Sequence, residues 1–123
     1  MTIYLLLMIV IHCISYWPVV IVVYGRIKIA HEFANTVKSE DIIKIILFGS
    51  VARGDDTQHS DIDILIICNQ RDRIQDKVDD EIAWIMYDKG ELVSAHIMTE
   101  DLFNKTKNFS FLTNVLREGI TIG

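Results

Sequence analysis

Residues 45–54, Ile45-Ile46-Leu47-Phe48-Gly49-Ser50-Val51-Ala52-Arg53-Gly54, and the run Ser60-Asp61-Ile62-Asp63-Ile64-Leu65-Ile66-Ile67 behind them decide how this chain is read. The first run is apolar and ends abruptly in Gly-Ser, a polar turn follows, and the second apolar run opens on two aspartates spaced i, i+2. Side chains two apart on a strand share a face, so Asp61 and Asp63 are expected to project together from one edge of a sheet. Two neighbouring carboxylates perturb each other's protonation unless a cation sits between them. Hard oxygen ligands of this kind suit Mg²⁺, which is held by one or two carboxylates and completed by waters and substrate phosphates. Gly49 lets the backbone come close to a ligand, and the local N–H groups with the Ser50 hydroxyl offer donors to phosphate oxygens.

Gly49-Ser50, ten further residues, and then Asp61-x-Asp63 resembles the signature of the nucleotidyltransferase superfamily related to DNA polymerase beta. Within it, Gly-Ser-Val-Ala-Arg-Gly followed by Ser-Asp-Ile-Asp-Ile is similar to the minimal nucleotidyltransferases, whose members include antitoxins paired with HEPN-type toxins. The resemblance spans roughly residues 26–123 and includes the ending Asn114-Val115-Leu116-Arg117-Glu118-Gly119-Ile120. It implies an α/β (α+β) domain of the polymerase beta-like fold, in which Asp61 and Asp63 are catalytic and hold Mg²⁺, two ions in the two-metal manner. It also implies nucleotide contacts from Gly49, Ser50, Arg53 and Ser60. The implied reaction moves AMP from ATP to a hydroxyl, with a tyrosine on a HEPN-type toxin as the family's precedent for the acceptor.

The family pattern adds a third carboxylate from a later strand, and here the chain departs from it. Glu91 stands at the start of the third strand and is the expected third metal ligand. Ser94, Ala95 and His96 occupy the positions where an inward acid would be sought, with His96 as an alternative ligand or a hydrogen-bonded, partly buried histidine. Without a third acid, metal binding survives while transfer slows or stops. A nucleotide-binding or toxin-binding module without turnover is therefore the competing reading. Small-molecule adenylylation is disfavoured, because enzymes of that type use a second domain to form the acceptor pocket.

Length and charge narrow the class. A chain of 123 residues is expected to form one catalytic domain with no room for a separate substrate domain, so the acceptor comes on another molecule. The net charge of −5 lies wholly after residue 24 and argues against unaided binding to nucleic acid, which rewards clustered Lys and Arg. Cys13 and Cys68 form neither a disulfide framework nor a CxxC pair, consistent with a reducing cytoplasm. His12 and His31 have no partner at metal-ligand spacing, so zinc is not indicated.

Residues 1–24 stand apart from a domain read as 25–123. Positions 3–24 form an uncharged apolar run long enough to cross a bilayer, followed by Arg26 and Lys28, which would leave the domain cytoplasmic. Tyr16, Trp17 and Pro18 interrupt it in the middle. Three readings stay open: an upstream extension without an evolved role, a membrane anchor, or a segment packed on the domain.

Periodicity then predicts a helix over 25–40, a strand over Ile42–Phe48, a flexible polar turn over Arg53–Ser60, and a second strand over Asp61–Cys68. A helix over Asp72–Lys89 stops at Gly90, and a third strand covers Glu91–Met98. Thr99 is a candidate N-cap for a helix beginning at Glu100, and a last helix runs from about Phe111 to Glu118. This order predicts a small mixed sheet with helices packed on one face. Trp84 and Tyr87 are expected to pack in the core, with a partner surface as the alternative.

Overall fold

The computed structural model describes residues 17–123, with side chains described from Gly25 onward. Four strands form one sheet, β1 (Ile42–Phe48), β2 (Ile62–Cys68), β3 (Val93–Thr99) and β4 (Ile120–Thr121), in the order β3-β2-β1-β4. β1 pairs antiparallel with β2 and with β4, whereas β2 pairs parallel with β3, so the sheet is mixed as predicted. The parallel pair requires a crossover. Helix α3 (Arg71–Lys89) supplies it and ends at Gly90, whose φ of 66° is the left-handed helix stop expected of glycine.

The central strands are buried on both faces, and for that reason β1 and β2 read as continuous β-branched runs instead of alternating ones. On one face Ile45, Leu47, Ile62, Ile64 and Ile66 pack against α1 (Trp17–Val37) and α3. Phe33 and Val78, fully buried, are the main knobs from those two helices. On the other face Ile46, Phe48, Leu65 and Ile67 pack against Leu112 and Val115 of α5 (Ser110–Glu118), with Phe103 of α4 (Glu100–Thr106) beside them. Helices on one face thus describes the two long helices, while the two short C-terminal ones cover part of the opposite face.

Two elements were not predicted. A single turn of helix, α2 (Gly49–Arg53), replaces the expected Gly-Ser turn, and β4 continues the sheet after α5. Backbone bonds from Gly123 and Ile122 to Ile45 extend that edge. The chain can reach it because residue 119 is glycine: a Cβ there would collide with the Val115 carbonyl and the Ile46 side chain. Thr99 caps α4 as predicted, accepting from the Leu102 N–H at 3.2 Å. Trp84 and Tyr87 stay 55% and 84% exposed on α3, which corrects the expectation of core packing.

The apolar run divides. Residues 17–24 belong to α1, which continues across the expected boundary at residue 24, while residues 3–16 of the candidate membrane span lie outside the described residues. Among the described residues no helix is long and apolar enough to cross a membrane.

Candidate active site

The parity of β2 sets the site. Asp63 pairs with Phe48 across the antiparallel ladder and with Ser94 across the parallel one, so it shares a face with Phe48, Leu65 and His96. Asp61, two residues earlier, lies at the sheet edge on the same side and is exposed, whereas Asp63 is half-buried. Burial, and next the negative charge of Asp61, raise the Asp63 carboxyl above its ordinary range; His96 and Arg53 oppose that rise through their charges. Such a pair is electrostatically incomplete and gains from a cation between its members.

Gly49 joins β1 to α2 with φ of 73°, a conformation costly for any residue with a side chain. Its α-carbon faces Asp63, and a Cβ would overlap Asp63 Oδ2 and approach Cγ to 3.1 Å. The glycine therefore brings the first turn of α2, with Ser50 in it, directly against the carboxylate pair. Oxygen donors from two aspartates beside a turn that presents N–H groups and a hydroxyl fit Mg²⁺ together with phosphate, because this ion keeps several positions for water and substrate.

The other predicted residues are placed differently. Arg53 is exposed and divides its guanidinium between Asp55 and Glu118, each at 3.2 Å, so its planar fork is occupied by carboxylates. Ser60 closes a turn: its Oγ accepts from the Thr57 N–H at 2.9 Å, and its own N–H donates to the Thr57 carbonyl.

Glu91 is not brought to the aspartates. Ile62 pairs with Val93, so Glu91, two residues before Val93, falls on the opposite side of the sheet from Asp63. There its Oε2 accepts from Arg26 Nε at 3.1 Å. Among the described residues no group of three or more His, Cys, Asp or Glu side chains is gathered as a metal site. His96, by contrast, is exposed on the aspartate side, its ring 5.6 Å from those of Phe48 and Phe111.

Sequence reading missed Arg26, which is 2% exposed on α1 and binds Asp56 at 2.9 Å. The two residues are 30 positions apart, and no local period links an arginine behind an apolar run to an aspartate in a polar turn.

A mixed sheet carries paired aspartates that face a Gly-Ser helix turn, and comparison with known proteins gives the class of protein to which this fold belongs. The nucleotidyltransferase domain family matches residues 30–120, and the chain belongs to it. It is 47% identical over 95 residues to "Putative protein adenylyltransferase MJ0604" of Methanocaldococcus jannaschii, covering 75% of this chain and 92% of that one. A second protein of the same organism, "Putative protein adenylyltransferase MJ0141", is 29% identical over 99 residues, covering 78% and 97%. In fold, the chain is similar to a crystal structure described as "a putative nucleotidyltransferase from Sulfolobus solfataricus", with a TM-score of 0.54, 22% identity and 80% coverage of both chains. The protein is a minimal nucleotidyltransferase, an enzyme of the nucleotidyl-transfer class.

Proposed function

We propose that this enzyme is a Mg²⁺-dependent protein adenylyltransferase that moves AMP from ATP to a hydroxyl on a partner protein. The observation that carries the reading is the Asp61–Asp63 pair set against the Gly49-Ser50 turn. The names of the two relatives, both putative protein adenylyltransferases, support adenylyl transfer to an acceptor on another protein.

In this reading Ser50 and the N–H groups at the start of α2 receive the triphosphate. Asp61 and Asp63 would hold Mg²⁺, which when bound would supply neutralisation of phosphate charge and stabilisation of the attacking and leaving oxygens. The acceptor hydroxyl oxygen attacks the α-phosphorus in line, a new O–P bond forms as the bond to the β-phosphate breaks, pyrophosphate departs, and the hydroxyl proton is released to solvent. The chain's own contribution is positioning and electrostatic complementarity. By family analogy the acceptor is a tyrosine on a HEPN-type toxin, which the transfer would neutralise.

A second reading, nucleotide or toxin binding without turnover, is favoured by one observation: Glu91 is engaged by Arg26, and among the described residues no third acid is gathered with the aspartates as a metal site. Intact-mass analysis separates the two. The product of the neighbouring gene is incubated with the enzyme, Mg²⁺ and each nucleoside triphosphate, with the Asp61→Ala/Asp63→Ala double variant as control. A nucleotide-sized gain that vanishes in the control supports transfer and names both nucleotide and acceptor. A stable complex without any mass gain favours the binding module.

A further inference from the structure

Arg26 is the buried charge of the described core, and its partners lie in the segment before β2 and the segment before β3. Nη1 donates to Asp56 Oδ2 at 2.9 Å and to the Thr57 carbonyl, Nη2 donates to the Gln58 carbonyl at 3.0 Å, and Nε donates to Glu91 Oε2 at 3.1 Å. Three of these four acceptors lie in residues 56–58, just before Asp61. The fourth, Glu91, lies before β3 next to Leu92, whose carbonyl receives the Ile62 N–H at 2.9 Å. One guanidinium on α1 thus clamps both sides of the strand start from which Asp61 and Asp63 project.

The clamp has a physical purpose at this place. Asp63 is fixed by its pairing with Phe48 and Ser94. Asp61 is exposed, lies just outside the paired residues and follows a polar segment, so its place beside a carboxylate that repels it depends on how residues 56–60 are held. The Asp56 side chain is only 3% exposed, so releasing Arg26 would leave a buried carboxylate unpaired. The planar fork of arginine meets the spread acceptors together, which the single ammonium of lysine cannot do.

We propose that Arg26 is a positioning residue for the metal site: by fixing residues 56–58 against α1 and β3 it holds Asp61 and Asp63 at the separation that receives a divalent cation. This inference rests on the reading of those aspartates as metal ligands. It departs from the family expectation in giving Glu91 a role through Arg26 and not as a ligand.

The test uses Mn²⁺ as the probe, titrated calorimetrically into the full chain, with backbone hydrogen exchange as a second readout. Arg26→Lys should retain slow exchange in β1 and β2, lose protection over residues 55–60, and bind Mn²⁺ about tenfold more weakly, the usual effect of removing an outer support of a metal ligand. Asp56→Asn, isosteric and leaving Arg26 paired with Glu91, should shift both readouts in the same direction by a smaller amount, and it decides the question if Arg26→Lys does not fold. Wild-type Mn²⁺ affinity in a folded variant whose loop has lost protection would reduce the clamp to a folding element and overturn the proposal. A wild-type protein that binds no Mn²⁺ would overturn the metal-site reading itself, and the inference with it.

Discussion

The α-carbon of Gly49 faces the carboxylate of Asp63 so closely that no side chain fits between them: a Cβ would overlap Oδ2 and lie 3.1 Å from Cγ. The contact joins the turn after β1 to the half-buried aspartate of β2, and it makes position 49 sensitive for two separate reasons. Gly49→Ala places a side chain at a φ of 73° and pushes Asp63 aside. Backbone strain of this type costs about 1–3 kcal/mol. Urea denaturation should show that loss, and calorimetry should show weakened Mg²⁺ and ATP binding beyond what the stability loss explains.

Asp63 should make the metal-free protein less stable as pH rises. Its folded-state carboxyl is raised above the ordinary value of 3.8, first by burial and then by Asp61. The folded state therefore holds this proton more tightly than the unfolded chain. The associated stability is present below 3.8 and is lost as pH climbs through the raised folded value. Thermal melts of metal-free Asp63→Asn and wild type should converge in acid and separate in favour of the variant toward neutrality. Mg²⁺ should narrow or reverse the difference, because ligand that binds only the folded wild type stabilises it by mass action.

Arg53 is tied to Asp55 and Glu118 at the surface, where ion pairs contribute little. Arg53→Gln should melt close to wild type. If the guanidinium exchanges these carboxylates for ATP phosphate, the same variant should bind ATP several-fold more weakly, as read by calorimetry in the presence of Mg²⁺. Unchanged ATP affinity would confine Arg53 to linking α2 and α5.

The hydroxyl of Thr99 caps α4 at the end of β3. Thr99→Ala should cost about 1 kcal/mol, and Thr99→Ser should recover most of it. Denaturant midpoints of the two variants against wild type measure this directly.

The amino-acid sequence by itself determined the three long strands, the long helices, the Thr99 cap and the common side of Asp61 and Asp63. Each depends on a local period or a single residue's chemistry: alternation by two along a strand, apolar recurrence along a helix, a hydroxyl before a first turn. The Gly-Ser turn was legible for a related reason, since glycine marks close backbone approach, although its true form is a turn of helix.

Only the tertiary structure decided the fate of Glu91. Its place at the start of the predicted third strand suggested a third ligand, but the parallel register of Ile62 with Val93 sends it to the far side of the sheet, into the reach of Arg26. A shift of one residue in that register would exchange the two sides, and no residue near Glu91 announces which register forms. The Arg26–Asp56 pair was hidden for the same reason, as was the covering of the second face by α5. These are contacts between segments far apart in sequence, set by strand pairing and helix packing, and local pattern carries no record of them.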